Sequence, residues 1–318
     1  VYFDTSKFKD YGKLSGQKLD EKLKGAREDV YLDPQKKNPT DFSLWFKRAG
    51  RFADHSMHWN SPWGDGFPGW HIECSAMSMK YLGETIDIHA GGVDHIPVHH
   101  ENEIAQSEAA TGKHFVNLWF HNEFLLVDGE KMSKSKGNFY THEDLVKRGI
   151  DPLALRLLFY QTHYRKQLNF TWDSAKGANE AYKKLINFVI SLRSETQRTQ
   201  LSQDKLDKAE VLRDKFKESL ENDLQLPQSV SVMWEVLKAN IPSTDKLDLL
   251  YDFDQVLGLK LSSKEKESIP EEVKQLAEER QKERRAGNFD KSDAIRIEIK
   301  KKGYIIEDVQ NGHLIKKK

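Results

Sequence analysis

The chain has 318 residues, 31% of them charged, with 50 basic and 50 acidic side chains and no net charge. That length allows two or three domains at roughly 150 residues each, and mean hydropathy is −0.73, with no apolar run of about 18 residues that could cross a membrane. The charge balance excludes attraction of the whole molecule to nucleic acid and leaves a local basic patch as the only electrostatic route.

Cys74 is the only cysteine, so no internal disulfide framework exists, and a reducing cytoplasmic location is expected. No secretory signal is visible. The opening Val1-Tyr2-Phe3-Asp4 lacks an initiator Met and reads as a truncated or processed start.

Residues 1–60 are loop-rich and charged. "VYFDTSKF" alternates like a short strand, and "DPQKKNPTDFSLW" begins with turn residues. "SPWGDGFPGW" is a Gly/Pro/Trp loop, and "HIECSAMSMKYLG" predicts a helix ending at Gly83. "TIDIHA" predicts a buried strand, "HENEIAQSEAATG" a helix closed by Gly112, and "FVNLWFHNEFLLVDG" strand material. Strands alternating with helices argue for an α/β unit with a parallel sheet over 61–145.

From about residue 146 the pattern turns helical. Ala181, Tyr182, Leu185, Phe188, Val189 and Leu192 recur at helical spacing, and further helices are expected around 203–222, 227–239 and 245–257. "KLSSKEKESIP", residues 260–270, has linker composition. Residues 271–302 read as two short helices broken at "AGNFD", and the end as a hairpin turning near Asn311-Gly312.

Three constellations carry chemistry. "EKMSKSKGN", residues 130–138, crowds Lys131, Lys134 and Lys136 into a Ser/Gly loop between a strand and a helix. Such a loop can close over a polyphosphate and stabilise charge growing on a leaving pyrophosphate; the plain alternative is a solvated basic loop. Cys74, His99 and Glu103 form the second, since thiolate, imidazole and carboxylate are all zinc ligands. His99 and Glu103 stand four apart, on one face of a helix. Against that, a lone Cys is often a small buried hydrophobe, and a His-x-x-x-Glu pair is commonly exposed. In the third, Gly91-Gly92 followed by Asp94 ends a strand where backbone could meet a ribose, or makes a tight turn capped by an acid.

Together the strings "KLSGQ", "KKNPTDFSLW", "WNSPWGDGFPGWHIECSAMS", "HHENEIAQSEAATG", "VDGEKMSKSKGNF", "HYRKQLNFT" and "FDKSDAIRIEIKKKGYIIED" resemble the cysteinyl-tRNA synthetase family, in family order over nearly the whole chain. "EKMSKS" matches the KMSKS signature of class I synthetases. The resemblance implies an α/β fold: the second half of a Rossmann-like nucleotide-binding parallel sheet, then an all-α bundle and a small C-terminal α+β domain. The implied segments are a connective insertion at 1–60 and the catalytic half with its KMSKS loop at 61–145. A stem-contact region follows at 146–175, a tRNA-binding bundle at 176–262 and an anticodon-binding domain at 268–318.

The implied activity is ATP-dependent adenylation of cysteine and transfer to its tRNA, with Mg2+ accompanying ATP. A zinc ion held by Cys74, His99 and Glu103 would bind the substrate thiolate, Trp70 would line the cysteine pocket, and Gly91, Gly92 and Asp94 would hold the adenosine end of ATP. Lys131, Met132, Ser133, Lys134 and Ser135 would face the phosphates, Lys131 and Lys134 in catalysis. No His-x-Gly-His element occurs. In the family it lies on the preceding half of the fold with a fourth zinc-ligand cysteine, so a missing N-terminal half is expected as partner. "EDVQNGHLIKKK" departs from the family's usual end. Two rival readings are a same-fold cysteine ligase of low-molecular-weight thiol synthesis, which residues 268–318 argue against, and a non-catalytic tRNA-binding fragment.

Overall fold

The computed structural model describes residues 1–16, 36–194, 202–263, 270–309 and 312–317. The chain forms two compact units, one of residues 1–182 and 210–238, the other of residues 183–209 and 239–318. Among the described residues, no helix is long and apolar enough to cross a membrane.

The first unit is α/β. Its N-terminal stretch holds two short antiparallel pairs, β1 (Tyr2–Phe3) with β2 (Phe42–Ser43), and β3 (Trp45–Lys47) with β4 (Gly66–Pro68). The strand expected over "VYFDTSKF" stops at Phe3, because Asp4 caps a 3-10 turn at Thr5–Lys7 with its carboxylate on the Ser6 N–H.

Helix α1 (Trp70–Leu82) follows, then β5 (Ile86–Gly92), α2 (Glu101–Thr111) and β6 (Val116–Asn122). Strands β5 and β6 pair in parallel from Ile86↔Val116 to Gly92↔Asn122, the βαβ crossover expected of alternating elements. Gly112 ends α2 in the left-handed region at φ 69°, its N–H on the Glu108 carbonyl, a conformation that costs glycine nothing. The local core is Ile86, Phe115 and Val116, with Met79 and Trp119 against it.

The reading of "TIDIHA" as a buried strand is corrected. Ile86 is buried, but Ile88 is 62% exposed and its neighbour Leu118 55%. Parallel sheets are normally covered on both faces; here the described residues leave one face open at Ile88 and Leu118, between the buried Ile86–Val116 end and Phe120, which stacks on Tyr164 at 4.3 Å.

Helix α2 is built for polar contacts. Glu101, Asn102, Glu103, Gln106 and Ser107 are all buried along it. Gln106 Nε2 donates to the His71 carbonyl at 2.7 Å and Ser75 Oγ at 2.6 Å, and Ser107 Oγ donates to Ser75 Oγ at 2.9 Å. These bonds fix α1 on α2 through groups that would be costly to bury unpaired.

Beyond β6, β7 (Leu125–Val127) pairs with β8 (Glu130–Lys131) antiparallel and with β9 (Leu168–Phe170) in parallel. Between β8 and β9 lie α3 (His142–Lys147), opened by a Thr141–Asp144 capping box, and α4 (Pro152–Tyr160), capped by Asp151. Helix α5 (Trp172–Arg193) runs across the division between the units; α6 (Gln203–Glu221) and α7 (Leu226–Lys238) follow.

In the second unit, α8 (Ser243–Leu257) ends in a packed turn. The Asp254 carboxylate accepts from the Leu259 N–H at 2.6 Å and the Leu261 N–H at 2.7 Å, and both leucines are fully buried. The expected linker therefore does not begin at 260; residues 264–269 of it lie outside the described residues. Helices α9 (Glu271–Arg285) and α10 (Phe289–Lys301) pack with hairpin β10 (Tyr304–Val309) and β11 (Gly312–Lys317) around Val273, Ala277, Ile299 and Ile306. Val309↔Gly312 closes the hairpin, and Asn311 lies outside the described residues.

Candidate active site

The sequence-predicted ligand trio comes together in the first unit. One ligand atom from each of Cys74, His99 and Glu103 lies within 4.8 Å of the others. Cys74 comes from α1, Glu103 from α2. His99 sits in a π-helical turn, Ile96–His100, that runs directly into α2, so the four-residue spacing works across a junction of two helix types. His99 Nε2 is 3.7 Å from Glu103 Oε2. π-turns inside helices recur at functional sites.

Glu103 is the telling group. It is fully buried, and neither carboxylate oxygen has a hydrogen-bond partner. His89 Nε2 stands 3.3 Å from Oε2 and His100 Nε2 3.9 Å, neither in hydrogen-bonding alignment. Burial alone pushes the Glu103 carboxyl up to about 8. A carboxylate withdrawn from water and left unpaired is costly, and a bound cation would offset that cost. Sulfur, imidazole nitrogen and carboxylate oxygen form a zinc-type donor set, so the residues present fit the metal.

Six of the chain's twelve histidines form a cluster here: His89, His99 and His100 lie within 4 Å of the carboxylate, and His71, His95 and His121 stand against those three. Five of the six are absent from the sequence-level reading. Burial, then mutual repulsion, holds His71 down to about 3, His99 to about 4 and His100 to about 3, and lowers His89 and His121. A neutral imidazole offers one donor and one acceptor nitrogen, the form that a metal ligand requires. His89, His100 and Glu103 form a second ligand-like group that shares Glu103 with the first. Burial also raises the Cys74 thiol, helped by Glu103 and Glu73.

Trp70 opens α1, 58% exposed, with its ring 4.3 Å from the His99 ring at 33°, so an apolar wall adjoins the trio. Gly91 is required by close approach. A Cβ there would lie 2.5 Å from His100 Cε1 and 3.0 Å from His95 Nδ1, and one on Gly92 would lie 2.4 Å from Asp94 Oδ1. The packing of β5 against the histidines thus demands glycine at 91 before any nucleotide is considered.

The lysine loop follows β8. Ser133 N–H donates to Asn138 Oδ1 at 2.8 Å, Asn138 Nδ2 to the Lys131 carbonyl at 3.2 Å, and Ser133 and Ser135 share a hydroxyl bond of 2.7 Å. Lys136 is paired with Glu130 at 2.9 Å. The Lys131 and Lys134 ammonium groups rest over Phe124 and Phe139, 5.7 and 5.4 Å from the ring centroids. Two of the three lysines thus stand over aromatic faces, and the third is tied to a carboxylate. Met132 lies between them on the same loop.

In the second unit, Arg280 is fully buried and grips Asp308 in two bonds of 2.7 and 3.0 Å, with Arg284 Nη1 3.2 Å from the same carboxylate. These two arginines of α9 are bound across to β10 rather than to glutamates along their own helix.

Residues 1–180 match the model of the tRNA synthetases class I (C) catalytic domain. The chain is 44% identical to a cysteine–tRNA ligase of Caldicellulosiruptor saccharolyticus, covering 98% of this chain and 69% of that one. It is 42% identical to that of Treponema denticola, covering 97% and 67%, and 41% identical to that of Chlamydia felis, covering 100% and 68%. It thus spans about two thirds of these relatives' length. A solved ternary complex of Agrobacterium radiobacter K84 agnB2 LeuRS-tRNA-LeuAMS is 14% identical at TM-score 0.49, covering 75% of this chain and 36% of that one. With a catalytic-domain model matched over more than half its residues and cysteine–tRNA ligases over nearly all of them, the chain belongs to the class I aminoacyl-tRNA synthetases, in the cysteine–tRNA ligase family.

Proposed function

We propose that the chain serves cysteine–tRNA ligation: ATP-dependent conversion of cysteine to cysteinyl-adenylate, then transfer to the terminal ribose of a cysteine tRNA. The observation that carries the site assignment is the fully buried Glu103 carboxylate without a hydrogen-bond partner, within reach of Cys74 and His99. In this reading those three residues hold zinc. When bound, the ion supplies a soft Lewis acid that takes the substrate sulfur as thiolate and discriminates against serine. An apolar pocket separates such isosteres only about 10²-fold.

The chain's own residues do the rest. Trp70 walls the amino-acid pocket beside His99. Gly91 and Gly92 let backbone come close to the adenosine end, with Asp94 as acceptor. Lys131 and Lys134, which have no carboxylate partner among the described residues, are available to the phosphates of Mg2+-ATP, with Met132, Ser133 and Ser135 shaping the loop. Cations there act on charge that develops only as pyrophosphate leaves. The helices from α5 onward and residues 268–318 are read as the tRNA-contacting part, which would make affinity fall with salt.

The test is cysteine-dependent ATP–pyrophosphate exchange by the full-length protein, wild type against Lys134→Ala. The variant should lose roughly 10²–10³-fold in kcat with little change in the KM for cysteine. A raised KM at unchanged kcat would remove Lys134 from this role. Exchange with serine as readily as with cysteine would remove the metal-based selection.

A further inference from the structure

We propose that His71 is a positioning residue: it holds His99 in the one tautomer whose Nε2 can take a metal. This rests on the reading of Cys74, His99 and Glu103 as a metal site. The geometry is specific. His71 Nδ1 and His99 Nδ1 lie 3.0 Å apart and both residues are buried. Two neutral imidazoles joined through their Nδ1 atoms share one proton between them, so one ring donates and the other accepts. His99 Nε2 is the atom turned toward Glu103, at 3.7 Å. A neutral imidazole that coordinates through Nε2 carries its proton on Nδ1. His99 is therefore the donor, and His71 accepts through a bare Nδ1 with its own proton on Nε2. The reverse arrangement would put a proton on His99 Nε2 and block the ligand.

His71 is itself held from three sides. Its carbonyl accepts from Gln106 Nε2 at 2.7 Å, the Phe42 ring meets it edge-on at 5.4 Å and 88°, and Trp70 is 5.2 Å away. Gln106 lies three residues beyond Glu103 on α2, so the helix carrying the carboxylate ligand also fixes the partner of the imidazole ligand. Partners of this kind commonly contribute 10–100-fold to metal affinity.

The experiment is a zinc-affinity measurement by chelator competition on the full-length protein and on His71→Phe and His71→Asn. Phenylalanine keeps the ring shape and removes the acceptor; asparagine places an oxygen near the position of Nδ1. His71→Phe should bind zinc 10–100-fold more weakly, and His71→Asn should recover most of that loss. Wild-type affinity in His71→Phe overturns the proposal. Where that variant fails to fold, nitrogen-15 NMR of histidine-labelled wild-type protein decides, with or without zinc: His99 Nδ1 must be protonated and His71 Nδ1 bare. The opposite pattern overturns the proposal. A wild-type protein that binds no zinc while showing the expected tautomers would count against the metal reading and leave the His71–His99 assignment standing.

Discussion

Glu101 and Glu103 are two residues apart on one helix, carry the same side chain and are both fully buried, yet they live in opposite surroundings. Glu101 accepts the backbone N–H groups of Gly12 at 2.7 Å, Leu14 at 3.2 Å and Ser15 at 2.9 Å. Next to that cradle, Tyr11 donates to Asn102 at 2.6 Å and Lys13 pairs with Glu108 at 2.5 Å. Glu103 has no hydrogen-bond partner and sits among histidines. Glu101 latches the N-terminal segment onto α2. Glu103 latches nothing: its Oε2 faces imidazole nitrogens at 3.3 to 3.9 Å. Burial alone does not separate the two carboxylates; their hydrogen-bond partners do.

The sharpest way to break this contrast is Glu103→Gln. The amide is nearly isosteric and carries no charge, and with the carboxyl held up to about 8 the metal-free wild type is itself uncharged there at pH 7. The variant should lose nearly all bound zinc by metal analysis while its metal-free thermal midpoint stays within a few degrees of wild type. A midpoint collapse with zinc retained would make Glu103 a structural residue like its neighbour. Glu101→Ala should do the reverse. It strands three half-buried backbone donors, at about 1–3 kcal/mol for each that water does not reach, so urea denaturation should show a loss of about 3 kcal/mol. The surviving folded protein should keep most of its zinc.

The sequence made some of this legible and hid the rest for a physical reason. The lysine loop is contiguous, so it is visible as a string, and the donor types that meet at Cys74, His99 and Glu103 are visible as residues. The histidine shell was not, because α1, β5, the turn before α2, and β6 each contribute to it and only the fold brings them together. The difference between Glu101 and Glu103 was half readable. Positions two apart on a helix point about 200° apart, so opposite faces were implied; which face meets backbone donors depends on where residues 11–15 dock. The "TIDIHA" strand misled because Ile86 and Ile88 share one face, and that face is buried only where another element covers it. The element boundaries fared better where caps are explicit, as at Gly83 and Gly112.

Gly91→Ala separates packing from ligand binding at the edge of the same pocket. The new Cβ would meet the ring of buried His100 at 2.5 and 2.8 Å, and the ring, already bonded through Nδ1 to His121 Nε2 at 2.8 Å, has little freedom to retreat. Overpacking of this kind costs about 1–3 kcal/mol. The loss should appear in denaturation of the nucleotide-free protein. A stable variant with weakened ATP binding would show instead that the glycine serves the nucleotide alone.

The smallest effect is expected at a third carboxylate, which has partners but stands in water. Asp223, in the left-handed region at φ 52°, accepts from Arg165 Nε at 2.7 Å and Nη2 at 3.2 Å and from the Tyr164 hydroxyl, while His163 Nε2 meets its carbonyl at 2.8 Å. These contacts tie the segment before β9 to the turn between α6 and α7. The Arg165 and Tyr164 hydrogen bonds hold the carboxyl down to about 2. A carboxyl depressed in the folded state contributes stability above its unfolded value, near 3.9, and loses it as pH falls through about 2. Asp223→Asn preserves the backbone, because asparagine also tolerates positive φ, and removes only the charge. Its thermal midpoint should sit slightly below wild type from pH 7 to pH 4, with the gap closing toward pH 2. Exposed ion pairs are screened by salt, so the gap should also narrow at high ionic strength. A gap unchanged by pH and salt would mean that the Tyr164 and His163 contacts, not the charge, hold this turn in place.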